Sequence, residues 1–185
     1  SHAVVAPRSM TVGLAEGLRK LEGVRKAAPL LLLEGTAVNA DTGAAAPHVQ
    51  VLGVPAEFLT LYEGTGSAAP SGREVLLSDV LAADLKVGPG DAILLHVARP
   101  DALHVDSLFA RRKLTDRIRT YRLDCSGVVP QEGAGGFSLG FETGARRTAL
   151  VDYSWLASQI GMTGRCQAIA LETAESLSTT ALNRA

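Results

Sequence analysis

The sequence has no apolar stretch long enough to cross a lipid bilayer, which takes about 20 consecutive residues in a helix. Its longest apolar run covers residues 27–33 and includes Pro29. The chain also has neither an initiator methionine nor a signal peptide, and begins instead with Ser1-His2. We therefore expect a folded extramembrane part of a longer protein, whose other segments lie outside the residues given.

Aromatic residues and unbalanced charge are also scarce. Phe, Trp and Tyr together make up 4% of the 185 residues, so Leu, Val and Ala must fill the core. A composition of 46% apolar and 20% charged residues is that of an ordinary globular chain, which excludes general disorder. The formal net charge of -1 gives no electrostatic reason to bind nucleic acid, and we expect no nucleic-acid partner.

The chain has only two cysteines, Cys125 and Cys166, and two interpretations of them remain open. They are either two buried thiols or a disulfide, and the sequence alone does not give the distance between them. A disulfide would close a loop of about 40 residues and stabilise the fold by roughly 4 kcal/mol on a chain-entropy argument. That pairing would suit an oxidising compartment.

One segment matches a hydrolase motif. Gly136-Phe-Ser138-Leu-Gly140 satisfies the G-x-S-x-G pattern of a nucleophile elbow, which needs a strand before the serine and a helix after it. Here both flanks are rich in glycine, and all four histidines precede the serine, whereas that hydrolase order places the histidine after it. We interpret the segment as a flexible loop and expect no catalytic residue.

Neither a metal site nor a phosphate-binding loop is predicted. His96, Asp101, His104 and Asp106 lack a recognised ligand spacing, and we interpret them as solvated surface residues. The glycine-rich stretch that runs from Gly64 to Arg73 has no G-K-[ST] ending, and the one over residues 133–136 does not open a clear helix. We expect no metal and no cofactor, and any ATP must be bound by another domain or chain.

A basic stretch contains six cations interrupted by Asp106, Asp116 and Asp124, with Tyr121 as its only aromatic neighbour. Its members are Arg111, Arg112, Lys113, Arg117, Arg119 and Arg122. This pattern favours a solvated loop and strand face, and the alternative is contact with lipid head groups or an acidic partner. Trp155 and Leu156 fit the core face of a short helix.

Short strands and helices are interleaved irregularly, which predicts an α+β fold, and the length allows one domain or two small lobes. Strands over Leu30–Val38 and His48–Val54, joined by a turn at 39–43, predict a hairpin. Other strands are predicted over residues 3–6, 74–77, 92–97, 117–129, 149–151 and 167–171. Helices are predicted to begin at Ser9, Pro55, Ser78 and Ser154.

Residues 49–58, 74–91, 135–139 and 149–155 together resemble the MacB-type extracytoplasmic domain of FtsX-like ABC-transporter permeases. The stretch Val49–Phe58 is similar to a strand-to-helix passage of that family, "v-x-G-V-d-x-x-F". Residues 74–91 resemble its "vvls-x-x-lA-x-x-L-g-v-x-v-G-D" element. Residues 135–139, followed by Ala149–Trp155, resemble a late strand and helix of several members.

The resemblance implies a non-catalytic, two-lobed domain at residues 3–172, with residues 173–185 as a tail leading toward the rest of the parent chain. It implies a position on the extracytoplasmic (periplasmic) face of the cell membrane, within an integral membrane protein. The implied partners are a nucleotide-binding ATPase subunit or domain, a second permease copy, and a periplasmic partner or lipid-linked substrate. Such a domain engages substrates or partner proteins and relays ATP-driven motion.

Two other hypotheses belong to different functional classes. The chain could be a free-standing periplasmic module that binds a peptide or lipid, in which case its parent would have a signal peptide and no spanning segments. It could also be a hydrolase that uses Ser138, which would react with a serine-directed phosphonate.

Overall fold

The structure is a computed structural model that describes residues 2–21, 23–61, 68–98, 118–137 and 146–173. The predicted α+β fold is confirmed: within these ranges, eight strands form one mixed sheet, accompanied by four α-helices. The strands are β1 (His2–Thr11), β2 (Val24–Asn39), β3 (Ala45–Val54), β4 (Glu74–Ser78), β5 (Ala92–Ala98), β6 (Ile118–Val129), β7 (Thr148–Asp152) and β8 (Arg165–Thr173). The helices are α1 (Val12–Leu18), α2 (Ala56–Leu59), α3 (Asp79–Leu85) and α4 (Tyr153–Ile160), and a 3₁₀ turn covers Ala134–Gly136.

Six strands close into a barrel. The hydrogen-bonded order runs β2-β3-β7-β4-β6-β5, and β5 pairs back onto β2 from Gly35↔Val97 to Asn39↔Ile93. Closure leaves this part of the sheet without an exposed edge, which removes sites for edge-to-edge aggregation. The pairs β3–β7 and β4–β6 are parallel, and the other four are antiparallel.

The first half of β2 lies outside the barrel. It pairs with β8, and β8 pairs with β1, so β1-β8-β2 forms a three-stranded antiparallel sheet. The two lobes therefore share one strand and are not joined by a linker. Pro29, which has no N–H to donate, lies in this half, where β2 has a neighbouring strand on one side only.

Three buried clusters correspond to this architecture. The barrel interior holds alternate residues of the strands, such as Val49 and Val51, together with Leu81 and Leu85 of α3. A second cluster lies between the barrel exterior and the three-stranded sheet, with Phe58 against Phe137 at 5.3 Å between ring centroids. The third lies under α1 and includes Cys166.

Helices α3 and α4 follow β4 and β7, which are antiparallel, so they begin at opposite ends of the barrel. Both insert apolar residues into the barrel core. The α3 helix begins where sequence analysis placed it, because the buried Ser78 hydroxyl accepts the Leu81 N–H at 3.3 Å. The same hydroxyl accepts the Thr148 N–H at 3.0 Å and donates to the Arg146 carbonyl, which ties α3 to the start of β7.

Most predicted elements are present, including the β2–β3 hairpin, with two corrections. Strand β2 starts at Val24 and passes through Pro29, whereas we expected a strand from Leu30. The first helix begins after Thr11 and not at Ser9, because β1 extends through Thr11 and pairs with Arg165 on β8. No helix among the described residues is long and apolar enough to cross a membrane.

The two cysteines are free, buried thiols, so the disulfide interpretation is wrong. Cys125 belongs to the barrel core and Cys166 to the cluster under α1. Burial raises the pKa of both thiols, and the carboxylate of Asp91 contributes to the raised pKa of Cys125. Both are therefore poor nucleophiles at neutral pH.

Candidate functional site

The hairpin of β2 and β3 contains a β-bulge. Gly35 pairs with Val49, and Ala37 pairs with Ala46, so the single residue Thr36 lies opposite the dipeptide 47–48. His48 takes the left-handed conformation with φ 54°, which is uncommon for a residue that has a Cβ. Bulges turn side chains away from the regular alternation of a strand and are frequent next to functional sites.

The bulge lies at one wall of an open cleft of about 380 Å³ on the barrel surface. Strands β2, β3, β5 and β6 all contribute to its lining. Polar side chains are provided by Glu34, Thr36, His48 and His96, and apolar ones by Pro47, Ala98 and Ile118, while Gly35 and Val97 complete the lining. The cleft therefore offers one carboxylate and two imidazoles beside an apolar wall.

The polar groups are hydrogen-bonded in pairs. His48 Nδ1 lies 2.7 Å from Glu34 Oε1, and His96 Nδ1 lies 2.7 Å from Thr120 Oγ1. The side chains of His48 and Glu34 are 81% and 71% exposed, so their attraction is screened and contributes little to stability. Each imidazole is therefore hydrogen-bonded through Nδ1 and still accessible to a ligand or partner.

The apolar side is dominated by Ile118, which is 57% exposed and is the most exposed of the large apolar side chains that the structure describes. Beside it, β2 and β5 approach closely, since a Cβ on Gly35 would lie 2.5 Å from the His96 carbonyl oxygen. Glycine is required there by that approach. The cleft therefore combines an accessible isoleucine with paired polar groups.

The candidate metal ligands and the candidate nucleophile lie only in part within the described residues. His96 lies on β5 and contacts Thr120, while Asp101, His104 and Asp106 lie outside the described residues, as does Ser138. Within the described ranges, no three His, Cys, Asp or Glu side chains are arranged to hold a metal ion. The glycines of the turn Ala134–Gly136 allow close packing, because a Cβ on Gly135 would lie 2.8 Å from the Pro130 carbonyl oxygen.

The basic stretch is described only at its end. Arg119 and Arg122 are exposed on β6, as expected for a solvated strand face, and Arg111, Arg112, Lys113 and Arg117 lie outside the described residues. Tyr121 packs edge-to-face on Trp155 at 5.2 Å between ring centroids. Leu156 is fully buried, as predicted, whereas Trp155 is half-buried at the margin of the barrel core.

Sequence reasoning missed the cleft as a unit. Its lining residues come from four strands whose pairing depends on barrel closure, and local patterns do not show such closure. One signal was present: Pro47 directly precedes the strand predicted from His48, and proline beside or within a strand is confined to edges, first positions and bulges.

No protein-family model and no curated protein sequence matches this chain. Solved structures do. The periplasmic region of MacB from Actinobacillus actinomycetemcomitans has a TM-score of 0.58 at 11% identity, covering 95% of this chain and 70% of that one. The extracellular domain of the noncanonic ABC-type transporter YknZ from Gram-positive bacteria gives a TM-score of 0.57 at 14% identity, and the match covers 92% of this chain and 76% of that one.

A domain assigned to a permease protein from Porphyromonas gingivalis gives a TM-score of 0.56 at 16% identity, covering 95% of this chain and 74% of that one. The three proteins differ in source, and each match spans both the barrel and the three-stranded sheet, because it covers nearly the whole chain. This chain has the fold of the extracytoplasmic domains of MacB-type transporter permeases.

Proposed function

We propose that this chain is the extracytoplasmic domain of an ABC-transporter permease of the FtsX-like, MacB type, with residues 3–172 as the domain and 173–185 leading toward the rest of the parent chain. The observation that carries the proposal is the shared fold over 92–95% of the chain with domains of two transporters and a permease. The resemblance of the ordered segments at residues 49–58, 74–91, 135–139 and 149–155 supports it independently. The domain is non-catalytic, and ATP is hydrolysed by a nucleotide-binding partner subunit or domain.

The arrangement of the strands supports a role in relaying motion. His2 pairs with Leu171, and Val24 pairs with Thr173, so the beginning of β1, the end of β8 and the beginning of β2 lie side by side. A displacement applied to β1 and β8 therefore acts on the sheet that β2 joins to the barrel. The barrel in turn carries the cleft, which we propose as the surface that engages a substrate or partner protein.

The parent reading frame provides the first test. For such a permease we expect one membrane-spanning segment of about 20 apolar residues before the chain and about three such segments after it. A signal peptide followed by no spanning segment would contradict the proposal and favour a free-standing periplasmic peptide- or lipid-binding module. Reaction of Ser138 with a serine-directed phosphonate would instead favour a hydrolase.

Engagement at the cleft is tested in the parent permease, expressed with its ATPase partner in the membrane. Replacing Ile118 with serine removes the exposed apolar side chain and should lower transport at least tenfold, while basal ATP hydrolysis stays unchanged. Val128→Ser is the matched control, because Val128 is also exposed on β6 but does not line the cleft. Equal transport by the two variants would contradict engagement at this surface.

A further inference from the structure

Strand β2 changes partners on one of its edges. The sheet order puts β8 and β3 on opposite sides of β2. Gly35, Ala37 and Val38 pair with both β3 and β5, so β5 lies on the side of β2 away from β3, which is the edge that β8 also uses. The β8 pairing ends at Leu30↔Ala168, and the β5 pairing begins at Gly35↔Val97. Residues 31–34 therefore have no strand on that edge.

A side chain fills part of this gap. Gln167 precedes Ala168, the β8 residue that pairs with Leu30. Its side-chain Oε1 accepts a hydrogen bond from the backbone N–H of Leu32 at 2.7 Å. The glutamine thus provides the acceptor that a longer β8 would have provided with a backbone carbonyl. Without it, the Leu32 N–H would lose its partner in a half-buried position, which weakens the strand at this point.

The two residues before Leu32 are held on opposite faces of β2. Leu30 and Leu31 are both fully buried, but Leu30 belongs to the cluster between the lobes and Leu31 to the barrel interior. A twist or bend of β2 here would withdraw one of these side chains from its core. Because withdrawal of a buried leucine exposes apolar surface to water, both cores oppose such a bend.

We propose that residues 30–32 of β2, together with Gln167, form a stiff joint through which the three-stranded sheet and the barrel move as one body. Gln167 is the positioning residue of this joint. As a step in relaying motion the joint rests on the proposed function, whereas its stiffness is a property of the 185-residue chain itself. If the joint is stiff, a displacement of β1 and β8 moves the cleft by the same rigid-body motion, because β2 does not bend between the two lobes.

The test measures the distance between the lobes directly. Spin labels are attached to cysteines introduced at Glu16 on α1 and at Asp41 in the turn after β2, both exposed. The native thiols are buried with raised pKa values and react slowly under native conditions. Electron–electron distance measurements give the width of the distribution, and hydrogen exchange of the Leu32 amide reports the local hydrogen bond.

Three variants separate the joint from a general loss of stability. Gln167→Met keeps the side-chain length but removes the acceptor, and Gln167→Glu keeps an acceptor oxygen. Ser126→Ala also removes a side-chain to backbone bond, from Ser126 to the Val75 carbonyl, but within the barrel. In Gln167→Met the distance distribution should broaden, and the Leu32 amide should exchange roughly fivefold faster.

The unsubstituted chain, Gln167→Glu and Ser126→Ala should all give one narrow distribution. A broad distance distribution in the unsubstituted chain would refute the joint. So would a Gln167→Met variant whose distance distribution is as narrow, and whose Leu32 amide exchanges as slowly, as in the unsubstituted chain. Either refutation would leave the proposed transporter function standing. Conversely, a parent frame without spanning segments would refute that function and leave the measured stiffness unaffected.

Discussion

At the scale of single residues, two residues other than glycine have the left-handed backbone conformation that glycine normally adopts. His48 has φ 54° at the β-bulge, and Lys86 has φ 53° at the end of α3. Lys86 ends a helix, where the left-handed conformation is common and is usually provided by glycine. No helix end explains His48, whose conformation instead directs an imidazole into the cleft.

Substitutions at His48 should reveal the backbone strain at the β-bulge. His48→Gly should be at least as stable as the unsubstituted chain and more stable than His48→Ala by about 1 kcal/mol, because only glycine adopts a positive φ without steric cost. Urea denaturation measures the free energy of unfolding of the three chains. Lys86→Gly and Lys86→Ala form a matched pair away from the cleft, and an alanine variant as stable as the glycine variant at His48 would contradict the strain.

The two buried thiols should make the fold sensitive to alkaline pH. Burial raises the pKa of Cys125 and Cys166 in the folded chain, whereas unfolding returns them to their usual pKa of about 8.5. The stability contributed by the neutral thiols is therefore complete below about pH 8.5 and is lost as the pH rises through the folded-state pKa. Tyr153, whose pKa burial also raises, acts in the same direction at higher pH.

Unfolding free energies at pH 7 and pH 10 measure this effect. Between pH 7 and pH 10 the unsubstituted chain should lose more unfolding free energy than the double variant Cys125→Ala, Cys166→Ala. This comparison holds even if the two chains differ in stability at pH 7. The double variant retains the contribution of Tyr153, and addition of Tyr153→Phe should flatten the dependence further. Equal losses in the unsubstituted chain and the double variant would show that the thiols ionise with ordinary pKa values.

At the scale of elements, sequence patterns predicted what local chemistry decides. The hairpin, the Ser78 cap and the β4–α3–β5 order all follow from turn residues, a capping hydroxyl and apolar periodicity near each other in the chain. The length of β2 was not predicted, because proline at position 29 is tolerated only where a neighbouring strand is missing on one side. That condition depends on β3 and β8, which are distant in sequence.

The same reasoning explains the outcome for the candidate site. His96 could be assigned to a strand from its neighbours, but its proximity to Ile118 results from the antiparallel β5–β6 pairing. The cleft requires, in addition, the closure of β5 onto β2. Residues that line one surface without sharing a local motif cannot be grouped from one sequence.

Closure of the barrel should depend on Gly35. A Cβ at this position would lie 2.5 Å from a backbone oxygen, His96 O, whereas a Cβ at Gly53 would lie 2.9 Å from the flexible end of Leu156. Gly35→Ala should therefore cost about 3 kcal/mol of stability or more, and Gly53→Ala about 1–2 kcal/mol. Denaturant unfolding of both variants measures these costs, and a cost for Gly35→Ala no larger than that for Gly53→Ala would contradict the tight approach of β2 and β5.

At the scale of the whole molecule, the two lobes share both a strand and a core. The cluster between them takes Leu30 and Ala168 from the three-stranded sheet, and Leu52 and Leu150 from the barrel exterior. Neither lobe can unfold without exposing residues that the other lobe buries. We therefore expect one cooperative unfolding transition for the described fold, despite its two-lobed outline.

The native cysteines provide a probe in each lobe for this prediction. Cys125 is buried in the barrel, and Cys166 is buried under α1 on the three-stranded sheet. In pulsed thiol labelling at increasing urea concentration, the two should become reactive at the same midpoint, with mass spectrometry of each peptide as the readout. Labelling of Cys166 at a lower urea concentration than Cys125 would show that the three-stranded sheet opens on its own, because local unfolding exposes only the thiols of the segment that opens. A domain that transmits displacement from β1 and β8 to the cleft needs the first result, since a sheet that opens independently would absorb the displacement by unfolding.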